Sequence, residues 1–178
     1  MISCPASYDA FMNTIFDIPS RNYIENAIGN ICLRNYDKVH QFNIIYGPPK
    51  SGKTVLLNML RRIFGDDNII YCIEVAKYLP GPHILLIQDG DADKIINKCI
   101  GDDDLNDTTF FIATNRYPEI RNSHVNILKT TGEIIDEKTF NDFIYPSMIY
   151  GVKNYRDYCN DKLCWNLKFW KEKGGSNV

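Results

Sequence analysis

The stretch Gly47-Pro48-Pro49-Lys50-Ser51-Gly52-Lys53-Thr54 decides the fold of this chain. It matches the pattern G-x-x-x-x-G-K-[ST] at every fixed position, which is typical of a phosphate-binding loop. Its two outer glycines allow a tight turn in which successive backbone N–H groups face a phosphate. Lys53 would then reach the β- and γ-phosphates, and the Thr54 hydroxyl would coordinate Mg²⁺. The predicted contacts to a nucleotide are Gly47, Pro48, Pro49, Lys50, Ser51, Gly52, Lys53, Thr54 and Val55.

The residues on both sides of this loop have the pattern that such a loop requires. Residues 41–46 form a β-branched and aromatic run, which predicts a strand. Residues 53–64 carry one apolar stripe at helical spacing and are followed by Gly65, which predicts a helix and its end. A strand, a loop and a helix in this order disfavour an accidental match by a loop rich in glycine and proline.

The following residues alternate between predicted strands and helices. Strands are predicted over 68–75, 83–89, 108–115 and 124–128, and a short helix over 92–100. Continuous apolar runs of this kind are typical of parallel sheets that are covered on both faces. We therefore predict an α/β fold, a P-loop NTPase with a parallel sheet flanked by helices.

The domain organisation is predicted to be a single compact unit with three parts. A helical preface spans 1–40, in which Ser7 and Ser20 are expected to cap two helices that Pro19 separates. The P-loop core spans 41–131, and a helical tail spans 132–178. The end of the tail is locally basic, and a solvated face is favoured there over nucleic-acid binding.

Composition limits the classes of function. The chain has 178 residues, 44% of them apolar and 24% charged, with a formal net charge of −2. These values fit one globular domain without overall attraction to nucleic acid. No apolar run approaches the roughly 18 residues of a membrane span, and the N-terminus lacks signal-peptide features. The cysteines at 4, 32, 72, 99, 159 and 164 include no C-x-x-C pair, so we expect reduced thiols, an intracellular location and no metal at Cys159 and Cys164.

Polar residues follow the predicted strands where parallel sheets bind ligands. Asp89 is the candidate Mg²⁺ ligand, with Asp91 as a second acid or a base that orients water; Asp91 could equally be the N-cap of the next helix. Asn115 could hydrogen-bond the γ-phosphate or its attacking water, or occupy a turn. Arg116 and Arg121 are candidates for an arginine finger that reaches a neighbouring subunit, or for surface ion pairs.

In their order along the chain, the phosphate loop, residues 84–89 and residues 110–115 resemble the ATPase core of superfamily 3 helicases. These are viral and plasmid replication helicases of the AAA+ class, and the likeness is greatest to poxvirus- and phage-type primase–helicases. It covers roughly residues 25–121. The resemblance implies an AAA+ or ASCE-like core in which Lys53 and Thr54 have Walker A roles, Asp89 the Walker B role and Asn115 the sensor role. It also implies a homo-oligomeric ring that uses ATP to move along DNA.

Three departures from that family leave alternatives open. The short interval before Asn115 contains an acidic stretch, 101–107, where relatives carry a basic pore hairpin, and acids there would repel a phosphate backbone. We expect no primase-like or origin-binding domain within these 178 residues, and no arginine lies between His124 and Asp136. The leading hypothesis is a Mg²⁺-dependent ATPase of helicase type in viral or mobile-element DNA replication, with single-stranded DNA as a partner. The alternatives are a non-catalytic nucleotide-binding scaffold and, less favoured, a small P-loop kinase.

Overall fold

The computed structural model describes residues 6–32, 36, 39–65, 69–79 and 82–132. The predictions for a helical tail, its basic end and Cys159 and Cys164 fall outside these residues. Among the described helices, none is long and apolar enough to cross a membrane.

Within the described residues, a five-stranded sheet with all strands parallel forms the centre of the fold. In chain order its strands are β1 (Phe42–Tyr46), β2 (Ile69–Ile70), β3 (His83–Ile87), β4 (Thr108–Thr114) and β5 (Val125–Lys129). They lie side by side in the order β2-β3-β4-β1-β5. The strand β4 pairs with both β1 and β3, so the ends of these three strands are neighbours. The predicted α/β fold with a parallel sheet and flanking helices, a P-loop NTPase-like fold, is confirmed.

Helices cover both faces of this sheet. The helices are α1 (Ala6–Ile15), α2 (Ile18–Cys32), α3 (Lys53–Phe64), α4 (Ile73–Ala76) and α5 (Ala92–Cys99), and a short 3₁₀ helix spans Asp103–Leu105. Phe111 belongs to the core cluster that contains the buried residues of α1, α2 and α3. Its neighbour Phe110 belongs to the cluster that contains those of α5. Successive strand residues point to opposite faces, which explains why every residue of β4 is buried.

The predicted strand over 68–75 is wrong in its extent. Only Ile69 and Ile70 pair with β3, and the chain then turns into α4 at Ile73. Tyr71 and Val75 are about half exposed, so the apolar run is not buried along its length. Among the described residues, β2 is an edge strand of the sheet, so residues 71–75 have no second neighbouring strand to pair with.

The predicted helix caps near the N-terminus are also wrong. The helix α1 begins at Ala6, so Ser7 lies inside it. Asp17 precedes α2, and its Oδ1 accepts a hydrogen bond from the Ser20 backbone N–H at 2.9 Å. Pro19 lies in the first turn of α2. An N–H group in the first turn has no acceptor within the helix, so the proline at this position costs no helical hydrogen bond.

Candidate nucleotide-binding site

The phosphate loop joins the end of β1 to the start of α3. Lys50 and Gly52 have left-handed backbone conformations, with φ of 65° and 85°. Left-handed residues within such a turn let neighbouring N–H groups converge on one point and form an anion-binding concavity. Gly52 is the N-cap of α3 and offers no side chain to the free N–H groups of the first turn. The loop and the positive end of the α3 dipole therefore favour a bound anion at this point.

Lys53 lies inside the loop. Its Nζ donates hydrogen bonds to the carbonyl oxygens of Gly47 at 2.8 Å and Pro48 at 2.6 Å. The residue is 5% exposed, and its burial lowers the pKa of the ammonium group, while the negative charge of Asp89 acts in the opposite direction. The ammonium is thus held by the carbonyl groups of the same loop whose N–H groups would face a phosphate.

Gly47 is in close contact with the end of β5. A Cβ on Gly47 would lie 1.8 Å from Oγ1 of Thr130 and 3.1 Å from Oγ of Ser51, so no side chain fits there. The Thr130 hydroxyl also donates a hydrogen bond to Ser51 Oγ at 3.0 Å. Sequence reasoning missed Thr130, which lies two residues beyond the predicted end of the last strand at Leu128. The sequence gives one indication of this contact: Thr130 follows a strand that a parallel sheet could place beside β1.

Asp89 follows β3 in a left-handed conformation with φ of 52°. The turn brings the next residue, Gly90, against β4, where its N–H donates to the Ala113 carbonyl at 3.1 Å. Asp89 is exposed, and its negative charge acts to raise the pKa of Lys53. The two charges therefore interact across the site. In the described part of the chain, no group donates a hydrogen bond to the Asp89 carboxylate, which leaves its oxygens open to a cation.

Gly90 cannot be replaced by a second acid without movement of its neighbours. A Cβ at this position would lie 2.8 Å from Cγ2 of Ile87, 2.9 Å from Cδ1 of Ile95 and 3.2 Å from Cγ2 of Ile112. An acidic side chain directly after Asp89 would therefore collide with these three isoleucines.

Asp91 is the N-cap of α5. Its Oδ1 accepts a hydrogen bond from the Lys94 backbone N–H at 3.2 Å. The capping alternative for Asp91 is thus observed, and one carboxylate oxygen is engaged in it. A role for Asp91 as second acid stays a prediction.

Asn115 follows β4, the strand between β1 and β3, and is exposed. It therefore lies between the phosphate loop and the Asp89 turn at the same edge of the sheet. The preceding Thr114 is buried, and its Oγ1 accepts a hydrogen bond from the Arg116 N–H at 3.2 Å. This bond shapes the turn after β4, and the sensor role of Asn115 stays a prediction.

Arg116 and Arg121 lie in the loop between β4 and β5, and both are exposed. The Arg116 guanidinium is 3.6 Å from the Glu119 carboxylate, and both side chains are more than 70% exposed. Arg121 donates hydrogen bonds to the carbonyl oxygens of Pro118 and Ile120, and its guanidinium is 5.0 Å from the centre of the Tyr117 ring. Arg121 is thus engaged within its own loop, whereas the contact that the described residues give the Arg116 side chain is an exposed ion pair. The arginine-finger assignment stays a prediction for both.

Asp93 holds this loop against α5, a contact that sequence reasoning missed. Its carboxylate accepts hydrogen bonds from the backbone N–H groups of Glu119, at 2.9 and 3.1 Å, and Ile120, at 3.0 Å. The loop that carries both arginines is therefore fixed relative to the helix that follows Asp89.

The predicted Mg²⁺ ligands are Thr54 and Asp89. Thr54 is the second residue of α3 and is exposed, as is Asp89. A hydroxyl and a carboxylate are the oxygen ligands that Mg²⁺ takes beside nucleotide phosphates. The described residues contain no group of three or more His, Cys, Asp or Glu that could hold a metal ion. The fit to Mg²⁺ thus rests on the donor chemistry of Thr54 and Asp89, with the remaining ligands expected from phosphates and water.

Comparisons with solved structures support the fold. Two apo structures of the NrS-1 C-terminal region match 85% and 90% of this chain, with TM-scores of 0.57 and 0.58 and identities of 15% and 14%. The structure of C. elegans PCH-2 matches 70% of the chain with a TM-score of 0.41 and 12% identity. The chain spans less than half of these matched chains, 44% and 46% for NrS-1 and 46% for PCH-2. No protein-family model matches the sequence, and no curated protein matches it significantly.

Proposed function

We propose that this chain binds ATP with Mg²⁺ and hydrolyses it, as an ATPase of the helicase type. The observation that carries the proposal is the geometry of the phosphate loop. Lys50 and Gly52 are left-handed, Gly52 leaves the N-terminus of α3 without a side-chain cap, and the Lys53 ammonium lies within the loop. This arrangement concentrates N–H donors and one ammonium group on a single anion site.

The roles of the other residues follow from their places at the carboxyl edge of the sheet. Thr54 and Asp89 would hold Mg²⁺, which when bound neutralises charge on the phosphates. Lys53 would donate to the phosphate oxygens in place of the Gly47 and Pro48 carbonyls. Asn115, between the loop and Asp89, would hydrogen-bond the γ-phosphate or the attacking water.

Hydrolysis would proceed by in-line attack of a water molecule on the γ-phosphorus. A new bond from the water oxygen to phosphorus forms while the bond to the ADP oxygen breaks, and the water proton passes to solvent or to a carboxylate. Asp89 and Asp91 are the carboxylates in the described part of this edge that could orient the water. Arg116 would stabilise the transition state in a neighbouring subunit if the chain assembles as a ring on single-stranded DNA.

A second candidate is a nucleotide-binding module that does not hydrolyse ATP. It is favoured by the β3 turn, where Gly90 has no room for a second acid and Asp91 is engaged as a helix cap. Such a module would use the same phosphate loop for binding and act as a scaffold for replication proteins.

The test is the rate of ATP hydrolysis per subunit, measured over a range of protein concentrations with and without single-stranded DNA. We expect this rate to rise with concentration and with DNA, and to be lost in Lys53→Ala. Lys98→Ala is the matched control, because it removes one lysine charge from an exposed ion pair with Glu74 at the end of α5. Wild-type hydrolysis in Lys53→Ala would refute the assignment. ATP binding without hydrolysis at any concentration would support the scaffold instead.

A further inference from the structure

Thr130 is a buried hydroxyl residue outside the phosphate-loop motif, yet it contacts that loop at two points. It is 1% exposed, its Oγ1 lies where a side chain on Gly47 would begin, and it donates a hydrogen bond to Ser51 Oγ at 3.0 Å. A buried hydroxyl needs a hydrogen-bond partner, and here the partner is a side chain of the loop itself.

The backbone of Thr130 is fixed from two sides. Its N–H donates to the carbonyl oxygen of Tyr46, the last residue of β1, at 2.8 Å. On the other side it forms an antiparallel bridge with Phe16. The next residue, Thr131, donates from its N–H to the Ile15 carbonyl at 2.7 Å and from its hydroxyl to the Thr14 carbonyl at 2.6 Å. The backbone that carries the Thr130 hydroxyl is therefore held by β1 and by the end of α1.

The hydrogen bond from Thr130 determines how the Ser51 hydroxyl can point. An oxygen that accepts a hydrogen bond from Thr130 must direct its own proton elsewhere. Lys53 Nζ also donates to the same oxygen, at 3.5 Å. Among the described residues no group accepts the Ser51 proton, and Ser51 itself is 2% exposed. A buried donor without a partner is energetically unfavourable, and an anion in the loop would supply the acceptor for this proton.

We propose that Thr130 is a positioning residue for the phosphate loop, which holds the Ser51 hydroxyl ready to donate to a phosphate oxygen of the nucleotide. This inference rests on the proposed nucleotide binding and adds to it a residue beyond the loop motif. Because the strand end is already held in place without a ligand, orienting the Ser51 donor requires little additional loss of entropy when the nucleotide binds.

The test compares Thr130→Ala with Thr130→Ser in ATP binding, measured by calorimetry with Mg²⁺. Both variants lose the methyl group, but only alanine lacks the hydroxyl. We expect Thr130→Ala to bind ATP about fivefold more weakly than Thr130→Ser, the effect of one neutral hydrogen bond. Ser51→Ala should lose a similar factor, and the double variant with Thr130→Ala should lose no more than Ser51→Ala alone.

A merely structural role for Thr130 predicts a different result. Thr108→Ala removes a buried threonine at the start of β4, at the opposite edge of the sheet. It should lower the melting temperature without changing ATP affinity. Equal affinity of Thr130→Ala and Thr130→Ser, or losses that add in the double variant, would overturn the inference. If Thr130→Ala does not fold, an unchanged affinity of Ser51→Ala overturns it equally. Failure of the wild-type chain to bind ATP would instead refute the proposed function.

Discussion

Replacing Gly90 by alanine tests the structure of the turn that carries Asp89. The new Cβ would lie 2.8 Å from Cγ2 of Ile87 and 2.9 Å from Cδ1 of Ile95. Carbon atoms in contact are normally about 3.5–4.0 Å apart. Ile95 can move its terminal methyl aside, but Ile87 is β-branched and held in β3, so the turn or the strand must shift.

The cost of Gly90→Ala follows from two opposing effects. Overpacking of this kind costs about 1–3 kcal/mol. Alanine restricts the unfolded chain and recovers roughly 0.4–1 kcal/mol, because no positive φ is required at this residue. We therefore expect a net loss of about 1–2 kcal/mol in the free energy of unfolding and a melting temperature lower by roughly 2–8 °C.

Thermal and urea denaturation followed by circular dichroism would measure this loss. The matched variant is Ile95→Val, which removes the Cδ1 atom that the new methyl group would meet. The double variant should be more stable than the sum of the two single losses predicts, because one of the two short contacts is gone. An unchanged denaturation midpoint in Gly90→Ala would refute the steric reasoning, and with it the claim that a side chain does not fit at this turn.

Three further predictions concern carboxylates around the same half of the sheet. Asp91→Ala should lose about 1 kcal/mol of stability because the side-chain cap of α5 is removed, whereas Asp91→Asn should retain the cap and the stability. An Asp91→Ala variant as stable as the wild-type chain would contradict the capping role. Asp93→Ala should increase the rate of amide hydrogen exchange at Glu119 and Ile120. Asp93→Asn keeps one acceptor oxygen and should have a smaller effect. Unchanged exchange in Asp93→Ala would show that the loop is held by other contacts. The Lys98 ammonium and the Cys72 thiol lower the pKa of Glu74 from 4.5 to about 2, so its stabilising contribution is present above pH 4.5 and is lost as the pH falls toward 2. Glu74→Gln should therefore reduce the loss of stability that acid causes in this pH range. An identical loss in the wild-type chain and the variant would contradict this pairing.

The phosphate loop could be predicted from sequence because its chemistry depends on residues that are adjacent in the chain. The spacing of Gly47, Gly52 and Lys53 fixes both the turn and the start of α3, and the local strand and helix patterns around it need no distant partner. The same reason explains the success with α5, whose cap at Asp91 and apolar spacing are local. The parallel sheet followed from the alternation of these segments.

The remaining features depend on contacts between segments that are distant in the chain. The run over 68–75 has the composition of a strand, but pairing beyond Ile70 depends on its place at the sheet edge. The contact of Thr130 with Gly47 and the hold of Asp93 on the loop after β4 arise only when the strands assemble in their observed order. No local pattern distinguishes these residues from other threonines and aspartates.

The binding of ATP in the presence of Mg²⁺, compared between the wild-type chain and Lys53→Ala, tests the central claim most directly. Calorimetric titration would report it without any assumption about hydrolysis, DNA or assembly. Saturable binding to the wild-type chain and to Lys98→Ala, with at least a tenfold loss in Lys53→Ala, is the result that we predict, because the buried ammonium lies within the loop. Equal affinity of Lys53→Ala, or no binding by the wild-type chain, would contradict the assignment of this loop as a nucleotide site.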